Sequence, residues 1–279
     1  MTDVLAGEYL SVFKGSGIEF EKVREYWTGD DVRSIDWNVT ARMNAPFVKE
    51  FREEREQTLM LLVDVSASLR FGSQALFKNE LSAELVAILA FLAVKNKDKV
   101  GCILFSDQVE LYLPPQKGKA YIWSILRSIL TFEAKSHKTD IRCALEALLR
   151  YTKRRSLCFV ISDFIAEGYE QSLAHVAKKH DLICVEVSDP LEHELGGLGF
   201  LELEDAETEE CITVDTKSHS WQKAFALLQQ ERELNLRTQF ARYGADFFPV
   251  LTNESPISAL EKFLKQRERR KKRKIRRGA

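Results

Sequence analysis

The hydrophobic positions of this chain fall into short, densely apolar runs separated by stretches with helical spacing. Leu59-Met60-Leu61-Leu62-Val63 contains no polar residue, as expected of a strand covered on both faces, and a strand is predicted over 58–63. A helix is predicted over about 75–95, with Leu81, Leu85, Ile88, Leu89 and Leu92 on one side. Strands follow over 100–105 and 109–113. The turn Ser106-Asp107-Gln108 joins them as an edge hairpin, which Pro114-Pro115 should stop. Helices over 120–130 and 140–152 flank the polar loop 136–139. The run 157–162 is again wholly buried in character and ends at Asp163. Then come a helix over 169–179, a strand over 182–187 and an inserted hairpin of 200–203 with 211–214 across an acidic turn. A long amphipathic helix over 221–243, a last strand over 246–251 and a terminal helix opened by Pro256 complete the order.

Regular strand–helix alternation predicts an α/β fold: a mainly parallel central sheet with helices on both faces. In such a sheet, ligands bind beyond the carboxyl ends of the strands, where the strand order reverses. The strands at 58–63 and 157–162 are therefore expected to be neighbours, with 109–113 antiparallel at an edge.

Composition narrows the class. The chain has 279 residues, 45% hydrophobic and 30% charged, which suits one large α/β domain with additions. The net charge of -1 hides an uneven distribution. Residues 261–279 carry 11 Lys/Arg against 2 Glu, which leaves 30 Lys/Arg against 40 Asp/Glu, a net -10, over 1–260. A body this acidic argues against nucleic-acid reading, except through the tail. The five cysteines are widely spaced and form no C-x-x-C pair, so buried thiols are expected rather than zinc or disulfides. The N-terminus lacks a basic segment and a long apolar core, and the stretch 85–94 is too short to span a bilayer, so a cytoplasmic protein is expected.

The candidate chemistry lies just past the first buried strand. Asp64-Val65-Ser66-Ala67-Ser68 sets one carboxylate and two hydroxyls at i, i+2 and i+4. Hard oxygens on a short loop suit Mg²⁺, which retains several waters. Thr139, before a predicted helix, and Asp163, at the end of a buried strand, have the same character. All five should meet at the solvent-facing crevice between the two neighbouring strands.

This set resembles the metal-ion-dependent adhesion site of von Willebrand factor A domains. The resemblance implies that Ser66, Ser68 and Thr139 reach the ion, that Asp64 and Asp163 hold its waters, and that one position stays open for a partner's carboxylate. Gly17-Ile18-Glu19-Phe20-Glu21-Lys22-Val23-Arg24-Glu25-Tyr26, then Gly29-Asp30-Asp31-Val32-Arg33-Ser34-Ile35-Asp36-Trp37, Thr40-Ala41-Arg42 and Val48-Lys49-Glu50-Phe51 resemble the signature of the bacterial DUF58 family. That family joins such a segment to a von Willebrand factor A-like domain. The implied organisation is a signature segment over 1–57, a von Willebrand factor A-like domain over 58–265 and a basic tail over 266–279. The implied function is a non-catalytic adaptor for a MoxR-type AAA+ ATPase, with Mg²⁺ resident and Mn²⁺ or Ca²⁺ as alternatives.

Plainer readings compete. Ser66, Ser68 and Asp140 are each good helix caps, although capping does not account for the whole set. The polar run 29–42 reads as a solvated segment with internal Asp–Arg pairs, pinned by Trp27 and Trp37. His137 borders the loop before Thr139, where an exposed loop histidine is the plainer assignment. There is no G-x-x-x-x-G-K-[ST] phosphate loop and no G-x-S-x-G elbow, which argues against ATP hydrolysis and serine chemistry. A metal-dependent phosphoesterase using Asp64 as nucleophile is the alternative, but it wants a carboxylate where Ser66 stands. A third reading is polyanion binding through the tail, whose residues 267–277 should extend or fray from the terminal helix.

Overall fold

A computed structural model describes residues 2–13, 18–43, 45–53, 56–73, 76–132, 134, 136, 138–195, 197, 199–204 and 210–277. His137, Ala75 and most of the acidic turn after Glu204 lie outside the described residues. The chain opens with helix α1 (Thr2–Phe13), followed by strand β1 (Ile18–Glu25), helix α2 (Trp37–Met43) and strand β2 (Phe47–Glu53). The body then runs β3 (Thr58–Asp64), α3 (Lys78–Lys95), β4 (Lys99–Phe105), β5 (Val109–Gln116), α4 (Lys119–Thr131), α5 (Ile141–Tyr151), β6 (Leu157–Ser162), α6 (Glu170–Lys179) and β7 (Asp181–Ser188). It ends with α7 (Pro190–His193), β8 (Phe200–Glu204), β9 (Cys211–Asp215), α8 (His219–Tyr243), β10 (Asp246–Leu251) and α9 (Pro256–Arg277).

Six strands form the central sheet in the order β10-β7-β6-β3-β4-β5. All pairs are parallel except β4 with the edge strand β5. Counted from β3, this is the 3-2-1-4-5-6 order of doubly wound sheets, with the reversal between β3 and β6. It is the von Willebrand factor A-like, Rossmann-like arrangement expected from the sequence. The unbroken apolar runs follow from it. Successive side chains of a strand point to opposite faces, so Leu59, Leu61 and Val63 pack with α1, α3, α4 and α9, while Met60 and Leu62 pack with α5, α6 and α8. Every residue of β6 is buried.

Three sequence expectations need correction. Pro114 and Pro115 do not end β5, which runs on to Gln116. An edge strand tolerates residues without an N–H, and the ladder absorbs them as a register shift between Val100 and Cys102. The tryptophans do not pin the run 29–42: Trp27 is 72% and Trp37 68% exposed. Instead, Arg24 donates to both carboxylate oxygens of Asp30 at 2.7 and 2.8 Å, and the antiparallel β1–β2 ribbon brackets the segment. The terminal basic run, expected to extend or fray from the helix, is anchored at its start and continues α9 to Arg277. Arg267 is 7% exposed, sits over the Phe13 ring at 4.8 Å and pairs with Asp181 and Asp246, fastening α9 to the sheet and to α1. Among the described residues, no helix is long and apolar enough to cross a membrane.

Candidate functional site

The site is built where β3 and β6 part. Their parallel register sets Val63 beside Ile161, so Asp64 and Asp163 emerge together at the carboxyl edge of the sheet. The Val65 N–H donates to the Phe105 carbonyl at 2.9 Å, and the Asp140 N–H donates to the Ser106 carbonyl at 2.9 Å. These two bonds hold the Asp64 loop and the Thr139–Asp140 step against the end of β4. Thr139 therefore stands at the same sheet edge, partly exposed.

Asp64 is held from three sides. Its Oδ1 accepts from the Ser66 N–H at 2.9 Å and from the Ser66 hydroxyl at 2.6 Å, and its Oδ2 accepts from the Ser162 hydroxyl at 2.6 Å. Ser66 precedes a single 3₁₀ turn, but its side chain makes no cap bond there. Its hydroxyl lies 3.2 Å from that of Ser68 instead. Capping therefore does not explain Ser66, whereas Asp140 does cap α5 by accepting from the Arg142 N–H. Two hydroxyl oxygens at this separation suit adjacent corners of an octahedral ion, which for Mg–O bonds of about 2.1 Å lie about 3 Å apart. Among the described residues, no group of three or more His, Cys, Asp or Glu is placed to hold a metal, so a hard cation here would depend on these hydroxyls.

The electrostatics are tense. Asp64 and Asp163 are each 1% exposed. Burial, and then the neighbouring Asp163 charge, push the Asp64 carboxyl up to about 7 against the opposing hydroxyl and N–H donors. Asp163 is neutralised from the other side. Lys78, 1% exposed, donates to its Oδ2 at 3.1 Å and to Glu192 Oε1 at 2.7 Å. The Asp163 carbonyl accepts from Arg232 of α8, whose guanidinium also pairs with Glu186 at 3.1 Å. Burial pushes Glu186 up to about 7 despite that partner. Phe164, directly after Asp163, holds φ 55, a left-handed conformation unfavourable for a bulky residue. It is retained because its ring is buried against Phe240 and Tyr169 and its N–H donates to the Ser162 hydroxyl at 3.1 Å. Local strain of this kind gathers at sites that need a fixed geometry.

Comparison with known proteins settles the family. The family described as "Protein of unknown function DUF58" matches residues 22–234. The chain belongs to the DUF58 family. An uncharacterized protein of Mycobacterium tuberculosis strain H37Rv is 34% identical over 208 residues, covering 74% of this chain and 66% of its own length. This DUF58 chain thus spans a little under two thirds of that relative. YeaD of Bacillus subtilis, also uncharacterized, is 27% identical over 145 residues, covering 52% of this chain and 34% of its own. Two solved structures share the fold at a TM-score of 0.52. One is an aerotolerance-related membrane protein of Bacteroides fragilis, 18% identical and covering 77% of this chain and 99% of its own. The other is BatB of Bacteroides thetaiotaomicron, 17% identical and covering 78% and 99%.

In this DUF58 chain, Asp64, Ser66 and Ser68 form one hydrogen-bonded unit, and Asp163 adjoins it through its charge on Asp64. Thr139 is at the same sheet edge. The expectation that the whole site faces solvent fails for Asp64, Ser66 and Asp163, which are buried; Ser68 and Thr139 are the partly exposed members. Sequence reasoning missed Ser162, Lys78, Glu192 and Phe164. Lys78 left a trace, because it continues the apolar stripe of Leu81, Leu85 and Leu92 back by three residues. A lysine on a buried stripe needs carboxylate partners.

Proposed function

We propose that this protein is a non-catalytic interaction module that binds a partner through a divalent ion. Ser66, Ser68 and Thr139 hold the ion, and Asp64 and Asp163 stand behind them. Mg²⁺ is the resident ion, with Mn²⁺ or Ca²⁺ able to replace it. Neutral hydroxyls leave the ion electrophilic, so it takes an external carboxylate. The partner is a MoxR-type AAA+ ATPase that supplies this carboxylate. The observation that supports this reading most is the Ser66–Ser68 hydroxyl pair at 3.2 Å, fixed by Asp64.

The phosphoesterase alternative is weaker. A nucleophilic carboxylate needs a free, accessible oxygen, yet both oxygens of Asp64 accept hydrogen bonds and the residue is 1% exposed. Ser66 stands where an acid/base would be needed. The test is capture of the ATPase on immobilised protein with Mg²⁺ and with chelator, beside an assay of generic phosphoesters. Chelator-sensitive capture without turnover is expected. Sustained turnover lost in Asp64→Asn would replace the proposal with the enzyme reading.

A further inference from the structure

Lys78 is the feature the proposed function leaves unused. It is the first residue of α3, yet it is as buried as the core leucines. Local backbone delivers it there. After the Ser68 turn the chain doubles back so tightly that a Cβ on Gly72 would lie 2.6 Å from the Leu76 carbonyl oxygen, and the Lys78 N–H donates to the Phe71 carbonyl at 2.9 Å. The segment that follows Ser66 and Ser68 therefore also brings this ammonium to Asp163. It bridges Asp163, on the sheet, to Glu192, on α7, at 3.1 and 2.7 Å. The other oxygen of Asp163 accepts from the Ile165 N–H at 3.2 Å, so both carboxylate oxygens are engaged.

We propose that Lys78 is a built-in competing cation that sets the affinity of the Asp64–Ser66–Ser68–Asp163 site for a divalent ion. This inference rests on the metal reading given above. A buried ammonium against Asp163 cancels one of the two carboxylate charges that would attract the ion, and repels the ion directly. Glu192 is its alternative partner: the side chain is 27% exposed, and its Oε1 is the nearer of the two acceptors. When a divalent ion occupies the site, the ammonium passes wholly to Glu192 and Asp163 turns to the ion. Glu192 is braced for this role by the N-terminal cap of α7. Its Oε2 accepts from the Asp189 N–H at 2.8 Å, and Asp189 accepts from the Ser73 N–H at 2.9 Å and from Thr252 at 2.6 Å. Metal occupancy and the position of α7 are thereby linked through one side chain.

The two partners of Lys78 give opposite expectations. Lys78→Met removes the competitor, so Mg²⁺ affinity by calorimetry should rise at least about tenfold, and the Mg²⁺-induced rise in Tm should exceed that of the wild type. Glu192→Gln leaves the ammonium to Asp163 alone, so Mg²⁺ affinity should fall. Lys78→Gln, smaller and still able to hydrogen-bond, repeats the first test if Lys78→Met fails to fold. If the wild type binds Mg²⁺ and the neutral Lys78 variants bind it equally or less well, Lys78 is a clamp and the inference is overturned. Mg²⁺ binding by the Lys78 variants with none by the wild type supports it. If neither the wild type nor those variants bind Mg²⁺, Mn²⁺ or Ca²⁺, the metal reading itself fails, and the inference falls with it.

Discussion

Asp64 concentrates the conflict in this site. Its carboxyl is pushed up to about 7 in the fold, well above the ordinary aspartate value of 3.8. A raised carboxyl stabilises the fold below its unfolded pKa and loses that contribution as pH rises through its folded value. In chelator, Asp64 should therefore lower stability progressively between about pH 4 and pH 8, by up to about 4 kcal/mol. A divalent ion should restore more at pH 8 than at pH 6. Asp64→Asn should melt in chelator at pH 8 no lower than the wild type, yet gain nothing from Mg²⁺. Thermal scans at both pH values check this, and equal Mg²⁺-induced shifts in the two proteins would refute it. His180 works the other way. It is 2% exposed, neither ring nitrogen has a hydrogen-bond partner among the described residues, and burial holds it down to about 4. It stays neutral in the fold while the unfolded chain takes up a proton below about 6.5, so it should remove up to about 3 kcal/mol as pH falls from 6.5 to 4. His180→Gln should flatten that limb of the stability–pH curve.

Among the elements, α9 bears on the basic tail. Arg267 is buried against Phe13, Asp181 and Asp246, and Lys271 donates to the Val12 carbonyl, so the first half of the basic run is structural. Deleting 272–279 should leave Tm within a few degrees of the wild type. Deleting 267–279 should cost about 3 kcal/mol or more, because it leaves Asp181 and Asp246 without their buried partner. Similar Tm values for the two truncations would contradict this. The sequence reading was good for elements whose pattern is local. The apolar runs 58–63 and 157–162 could hardly be anything but buried strands, and the switch-point rule then placed Asp64 beside Asp163. It failed where tertiary context decides. The edge position of β5 excused two prolines, the burial of Arg267 depended on carboxylates some 20 and 90 residues away along the chain, and Lys78 gained its role only when α7 brought Glu192 to it.

At the scale of the whole molecule, the charge pattern and the site point to separate surfaces. The acidic body presents its candidate metal site at one edge of the sheet, while the cations end a helix that packs on α1 and α3. Polyanion binding by the tail should be weak and fall steeply with salt, since counterion release dominates such contacts. It should be independent of Mg²⁺ and survive Asp64→Asn. The central claim is that the Ser66 and Ser68 hydroxyls hold a divalent ion. Calorimetric titration of Mg²⁺ into the wild type and into Ser66→Ala/Ser68→Ala tests it most directly, because that variant keeps every charge of the site. Saturable binding by the wild type that the double variant loses is the expected result. Unchanged binding in the double variant, or no binding of Mg²⁺, Mn²⁺ or Ca²⁺ by the wild type and the neutral Lys78 variants, would contradict it.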